Sequence, residues 1–278
     1  MTRTLVLAAA LLAAGVAVAE LEDPAGPPAP VAPEGSAAPA DPLPDAGAIA
    51  RRAEDVLRGQ GTRIEATMTI LSRKRPRSRV VTLRVFDDRR DDRALVRVLS
   101  PEEHAGTALL KLPPNLWLFS PEKRETTRIP GPSWSEPFLE SDFSRDDLVH
   151  GSSGALDYDH RLLEVDEHAG EAADRRAFVV EYSPHPDARV AWGRIVAWIE
   201  VEHATPLRLD FYAADGALVR TLRLDDVREV AGRRFPHLWV MRRSGAKGRE
   251  TRIQVDGIRF DPRFDEGLFT TRRLPPGG

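Results

Sequence analysis

The chain has 278 residues, 41% of them hydrophobic and 30% charged, with 43 acidic against 40 basic residues and no cysteine. Its net charge of -3, with the basic residues spread along the whole sequence, excludes the concentrated basic face of a nucleic-acid binder. Without cysteine there can be neither a disulfide nor a lipid-bearing lipobox, so the fold must rest on its own core.

Met1 to Ala19 carries one early positive charge at Arg3, an apolar run from Leu5 to Val18 and the small-residue sequence Ala17-Val18-Ala19 before Glu20. These features predict a secretory signal peptide cleaved after Ala19. The apolar run falls short of the roughly 20 residues that a bilayer span requires. Glu20 to Asp45 is rich in Pro, Ala and Gly with little aliphatic bulk, so a disordered spacer is expected there. The folded domain is then expected over residues 46–274, a length sufficient for one core. Asp45 is placed to cap a helix over Ala46 to Arg58, ended by Gly59 and Gly61. Ile49, Ala50, Ala53, Val56 and Leu57 make one apolar stripe on it, which should lie against a sheet.

From Arg63 the period changes to two. Ile64, Ala66, Met68 and Ile70 alternate with Arg63, Glu65, Thr67 and Thr69, the pattern of a strand with one wet face. Val81, Leu83 and Val85 repeat it against Thr82 and Arg84, and Arg93 to Leu99 follows. Between the first two strands, Arg73 to Arg79 reads R-K-R-P-R-S-R, a basic hairpin loop. It is either a solvated turn or a surface for anionic headgroups or an acidic partner. Gly106 to Leu112, Asn115 to Ser120 and Lys123 to Ile129 are short strands bounded by Pro or Gly, as in an antiparallel meander. Pro130 to Leu148 breaks the alternation and ends in a short helix over Ser144 to Val149. Ser144 is its N-cap, and Asp146 and Asp147 lie in the first turn, where carboxylates favour the helix dipole.

Further strands are predicted at Leu156 to Val165, Ala177 to Tyr182, Arg194 to Val201, Leu207 to Tyr212, Ala217 to Leu224, Phe235 to Arg242 and Thr251 to Ile258. A weak helical signal follows Phe264. Many short strands at roughly 8 to 12 residue spacing argue for a barrel or sandwich. Arg194 to Val201 is apolar on both sides, with Ile195, Ala197, Ile199 and Val201 facing one way and Val196 and Trp198 the other. Such a strand is either buried on both faces or has one face lining a cavity. A strongly curved sheet around an apolar hollow, lidded by short helices, accommodates it.

Four blocks carry a resemblance. G-T-A-L-L at Gly106 to Leu110, W-L-F-S-P at Trp117 to Pro121, R-E-T-T-R-I at Arg124 to Ile129 and S-D-F-S-R-D-D-L at Ser141 to Leu148 come in this order. The chain thereby resembles the outer-membrane lipoprotein-sorting family, relatives of the periplasmic lipoprotein carrier LolA, over roughly Arg52 to Arg272. It departs by one extra residue before the second Arg of the third block. It departs also at Pro137-Phe138-Leu139-Glu140, where members often have S-F-M-G, so that Glu140 replaces a glycine in a turn. The resemblance implies a mainly β fold, a highly curved antiparallel sheet forming an incomplete β-barrel, with an N-terminal helix and a helical lid. It also implies a monomeric periplasmic carrier for lipid acyl chains or lipidated proteins, without enzymatic activity or cofactor. Its counterparts would be an inner-membrane transporter or an outer-membrane acceptor. The alternative is a non-carrier accessory module of an envelope lipid or hydrophobe exporter.

A search for catalytic groups agrees with a binding role. His104, His150, His160, His168, His185, His203 and His237 show neither H-x-H nor H-E-x-x-H spacing, so no metal site is expected. Gly151-Ser152-Ser153-Gly154 lacks the spacing of a nucleophile elbow and reads as a turn. No glycine-rich phosphate cradle occurs. Asp142, Asp146 and Asp147 lack a Gly-punctuated ligand loop for calcium, which favours a capping role.

The apolar phases of the strands then nominate the wall of the hollow: Met68, Ile70, Leu83, Val85, Val96, Leu109, Trp117, Phe119 and Trp198. Trp134, Phe138 and Phe143 nominate an aromatic, mobile lid across its mouth. Arg73, Lys74, Arg75, Arg77 and Arg79 nominate the surface that meets a partner or membrane.

Overall fold

The computed structural model describes residues 44–72, 78–149, 154–169, 175–188 and 190–274. Asp45 accepts a hydrogen bond from the Gly47 amide at 3.0 Å and starts helix α1 (Ala46–Arg58). Gly59 ends it at φ 56°, where an added Cβ would stand 2.8 Å from the Asp261 carboxylate.

Among the described residues thirteen strands then form one antiparallel sheet: β1 (Gly61–Ser72), β2 (Arg79–Asp88), β3 (Arg93–Ser100), β4 (Ala108–Leu112), β5 (Asn115–Ser120), β6 (Glu125–Ile129), β7 (Tyr158–Asp166), β8 (Ala177–Pro184), β9 (Arg194–Glu200), β10 (Pro206–Tyr212), β11 (Leu218–Val230), β12 (Arg233–Arg243) and β13 (Arg249–Phe260). The order across the sheet is β6-β5-β4-β3-β2-β1-β13-β12-β11-β10-β9-β8-β7. Each half is a meander, and the first and last strands join the halves, in a register from Thr62 opposite Phe260 to Ser72 opposite Arg249.

This topology sets up the site. β6 and β7 are neighbours in sequence but occupy opposite edges of an unclosed sheet, so the chain between them, described over residues 130–149 and 154–157, links one edge to the other. The crossing contains two 3-10 turns, Gly131–Ser135 and Phe138–Glu140, and helix α2 (Arg145–Val149). α2 packs on β3 and β4, while α1 packs on β7, β8 and β12. Both lie on the same face of the sheet, hereafter the inner face.

Strand alternation distributes the core. Met68, Val81, Leu83, Val96, Leu109 and Leu116 of the first half join Val180, Ala197, Ile199, Phe235, Met241 and Ile253 of the second on the inner face. Ile49, Ala50 and Ala53 of α1 and Phe138, Phe143 and Leu148 of the crossing complete that cluster. A fully buried side chain of this size contributes roughly 1.5–3 kcal/mol. At the end of α1 the buried Arg58 donates from Nε and Nη2 to the two Asp87 oxygens, both at 2.8 Å, which pins the helix to β2.

The outer face of β2–β5 is also apolar, and the chain after β13 covers it. Phe269 and Leu274 bury there against Leu95, Leu110 and Phe119, and Arg97 Nη1 donates to the Leu274 carbonyl at 3.0 Å.

Helix α1 has the bounds read from its stripe, and β5 those read from its flanking prolines. β11 and β12 run longer than their apolar alternation. Val227 opposite Pro236 and Val230 opposite Arg233 continue the pairing past the buried stretch, in a ribbon that hydrogen bonding alone defines.

Candidate functional site

A cavity of about 200 Å³ lies between α1, the crossing and β8–β12. Its apolar wall comes from Ala50, Ala53 and Leu57 of α1, from Ile195, Ala197 and Ile199 of β9, and from Leu209, Phe211, Leu222 and Trp239 of the neighbouring strands. Ala197 faces the helix across a strand otherwise filled by isoleucine, and Ala50 and Ala53 present equally small side chains opposite. The hollow is space that these alanines leave. Its volume falls below the roughly 300–1,000 Å³ of ordinary ligand pockets, so a larger occupant requires the crossing or α1 to move.

One end of the wall is polar. Asp146 and Asp147 of α2, Tyr158 of β7, and Glu54 and Arg58 of α1 line it. Asp147 does two things. Its Oδ2 accepts from the Ser144 amide at 2.7 Å while Ser144 Oγ accepts from the Asp147 amide at 3.1 Å, a reciprocal cap on α2. Both its oxygens also accept from Arg220 of β11, at 2.7 and 2.6 Å. Burial pushes the Asp147 carboxyl up, but Arg220 and the Ser144 cap outweigh it and hold it below the ordinary aspartate range. Arg220 is itself buried, with its guanidinium 4.3 Å from the Trp192 ring and 4.5 Å from that of Phe211.

The rest of the S-D-F-S-R-D-D-L block latches the crossing to the sheet. The buried Asp142 accepts from Thr251 Oγ1 at 2.9 Å and from Arg249 Nε at 3.0 Å, and its amide donates back to Thr251 Oγ1 at 2.9 Å. Ser141 Oγ donates to the Phe143 carbonyl at 3.0 Å. Asp142 and Asp147 thus hold guanidinium and hydroxyl partners. The described residues contain no cluster of three His, Asp or Glu arranged for a metal ion.

Of the residues nominated from sequence, Met68, Ile70, Leu83, Val85, Val96 and Leu109 are buried on the inner face but fill it completely and do not line the cavity. Trp117, Phe119 and Trp198 are corrected: they lie on the outer face. Trp117 and Phe119 pack with the C-terminal segment, and Trp198 packs with Ala169, Ala177 and Leu207 beneath Arg208. The reason is that β5 and β9 are apolar on both sides, so parity separates 117 and 119 from 116 and 118 without saying which pair is inner. The side chains of β9 that do line the cavity are Ile195, Ala197 and Ile199.

The lid residues also differ from expectation. Phe138 and Phe143 are 3% and 2% exposed, embedded in the core, while Trp134 is half-buried and donates from Nε1 to the Ile129 carbonyl at 3.2 Å. Leu139 and Glu140 take φ of 48° and 57°, the left-handed region that a glycine tolerates best. The Glu140 carboxylate meets Arg79 Nη2 at 2.6 Å. Arg79 also donates to the Leu139 carbonyl at 3.0 Å, so it belongs to β2 and holds the crossing. Arg73, Lys74, Arg75 and Arg77 lie outside the described residues, as do the signal peptide and residues 20–43 of the spacer.

The sequence reading missed Arg220. It stands in the apolar phase of β11 with Leu222 and Leu224, and a lone arginine in that phase signals a buried acidic partner.

A family model described as "-like: Uncharacterized protein" matches residues 90–275. No curated protein matches the sequence significantly. Among solved structures, a LolA superfamily protein from Nitrosomonas europaea is similar, with a TM-score of 0.69 at 18% identity over 82% of this chain and 98% of that one. An outer-membrane lipoprotein-sorting protein domain from Vibrio parahaemolyticus has a TM-score of 0.71 at 23% identity, over 82% and 97%. A protein of a domain-of-unknown-function family from Desulfovibrio piger has a TM-score of 0.73 at 21% identity, over 82% and 97%. The shared architecture is the LolA-like open barrel.

Proposed function

The chain belongs to the family whose model spans residues 90–275, and on the LolA-like frame it carries we propose that it is a non-enzymatic carrier of hydrophobic ligands in the periplasm. One observation carries the reading. The unclosed sheet keeps an apolar cavity between α1 and β8–β12, and its cover is a crossing segment held at discrete polar latches. Acyl chains are the natural occupant, since each buried CH₂ gains about 0.8 kcal/mol on leaving water. Entry requires the crossing to yield, and its ties through Asp147, Asp142 and Arg79 are polar groups that a partner or ligand can exchange. The resemblance to lipoprotein-sorting proteins supports lipids or lipidated proteins as cargo. The sequence holds no phosphate cradle, so a partner must supply the differential affinity that releases the load. The basic residues Arg73, Lys74, Arg75 and Arg77 are proposed as the surface that meets it.

The crossing also fills much of the inner face with Phe138 and Phe143. That favours, as the second reading, an accessory module of an envelope exporter that binds no ligand. Displacement of an uncharged fluorescent acyl probe decides between them. Leu222 lines the cavity, and Leu222→Glu places a charge where desolvation is costly. Binding by the wild type and its loss in the folded variant support the carrier. No binding by the wild type, together with a lipid-free mass on native purification from an envelope fraction, assigns the protein to the module.

A further inference from the structure

A second hollow, of about 790 Å³, opens outside the crossing between Lys111, the Pro113-Pro114 turn, Ile129, Trp134 and Val190. Among the described residues Asp146 is the one that lines both this vestibule and the inner cavity. The other charged side chains of the two walls have partners. Glu54 pairs with Arg58 and Arg89, Arg58 with Asp87, Asp147 with Arg220, Asp92 with Lys111, and Arg128 reaches Asn115. Among the described residues no cation stands within ion-pair distance of the Asp146 carboxylate, and no donor reaches it.

An independent observation lies beside it. Tyr158 is 2% exposed, stands in the wall of the inner cavity and feels the Asp146 charge, yet among the described residues its hydroxyl has no hydrogen-bond partner. Lys111 and Arg220 act on the Asp146 carboxyl only from beyond ion-pair contact, and a carboxylate without a contacting cation, like a buried hydroxyl without a partner, is unfavourable as it stands. One ligand chemistry satisfies both: a positively charged N–H donor attached to an apolar chain. Arg58, Arg220 and Lys111 already hold carboxylates of their own, so where the two hollows meet these cations do not recruit an anionic head.

We propose that Asp146 and Tyr158 bind the protonated amine head group of an amphiphile whose chain occupies the inner cavity. The inference rests on the carrier reading and narrows its ligand class. The vestibule is the route in, and the head stops at Asp146 where the two hollows meet. Fatty-acid carboxylates and phosphate-headed lipids meet repulsion at the same point, so the residue selects by charge.

Binding of dodecylamine, dodecanol and dodecanoate, measured by calorimetry below micelle formation and near pH 7.5, where the amine is charged, tests it. The wild type should take dodecylamine about tenfold more tightly than dodecanol, with dodecanoate weaker than both. Asp146→Asn should bring dodecylamine to the level of dodecanol and leave dodecanol within about twofold, because the apolar contacts are untouched. Tyr158→Phe should weaken dodecylamine by roughly three- to fivefold. If dodecanol binds but the amine has no advantage, or the advantage survives in Asp146→Asn, the head-group assignment is wrong while the carrier reading stands. If none of the three binds the wild type, both fall together.

Discussion

Replacing Arg220 with methionine isolates the latch between the crossing and the sheet. Met keeps most of the apolar stem and its contact with the Trp192 and Phe211 rings, and removes the guanidinium that makes two bonds of 2.7 and 2.6 Å to Asp147. The carboxylate left behind is 19% exposed and keeps only its cap from the Ser144 amide. Breaking a buried pair from one side costs roughly 3–5 kcal/mol, because the surviving charge is uncompensated. The protein can avoid that cost by releasing the crossing, and a 3 kcal/mol shift raises the open population more than about a hundredfold. Asn in place of Asp147 still presents an oxygen to the Ser144 amide without the charge, so Arg220→Met with Asp147→Asn should recover to within about 1–2 kcal/mol of wild type. Urea denaturation gives the stabilities, and hydrogen exchange over residues 141–149 shows whether the loss is local. An Arg220→Met protein within about 1 kcal/mol of wild type, with unchanged protection there, refutes the latch.

Two further outcomes follow from the same geometry. Burial, then the neighbouring charges of Asp147 and Asp157, push the Asp146 carboxyl up to about 6 against the opposing pull of Lys111 and Arg220. A raised carboxyl contributes stability that is fully present below about pH 4 and lost as pH rises through 6, up to roughly 2–3 kcal/mol for this shift. Asp146→Asn should therefore match wild type near pH 4 and exceed it near pH 7.5. Urea midpoints that stay parallel across that window contradict the assignment. On the outer face, Leu274 is fully buried in the cluster over β3–β5, so Leu274→Ala should cost roughly 2–5 kcal/mol. It should leave the affinity for an uncharged acyl probe unchanged, since that cluster lies across the sheet from the cavity, and a specific loss of binding at retained stability would contradict the placement.

Much of this protein was legible in one dimension because local interactions decide it. Asp45, the stripe through Ile49 and Ala53, and Gly59 define α1, since a cap, a period near 3.6 and a residue free to leave the helix are properties of adjacent residues. Alternation defines the strands in the same way, and the S-D-F-S-R-D-D-L block announces a capped turn through Ser144 and Asp147. The four blocks also carried enough pattern to suggest the open-barrel frame.

The sheet's handling of its two faces needed the tertiary structure. Leu116 and Leu118 alternate with Trp117 and Phe119, and nothing in that sequence says which pair faces α1 and which receives Phe269 and Leu274 from the far end of the chain. Whether an apolar position fills space or bounds it is likewise non-local. Met68 and Leu109 read like cavity residues and are packed solid. The hollow arises from the meeting of Ala50, Ala53 and Ala197, which are distant in the chain and meet only in the folded protein. Asp147 looked complete as a cap until β11 brought Arg220 to its other side, and Asp146 acquired its meaning only where two hollows meet. Sequence determines what each segment is because that depends on neighbours in the chain; pairing, enclosure and the absence of a partner depend on neighbours in space.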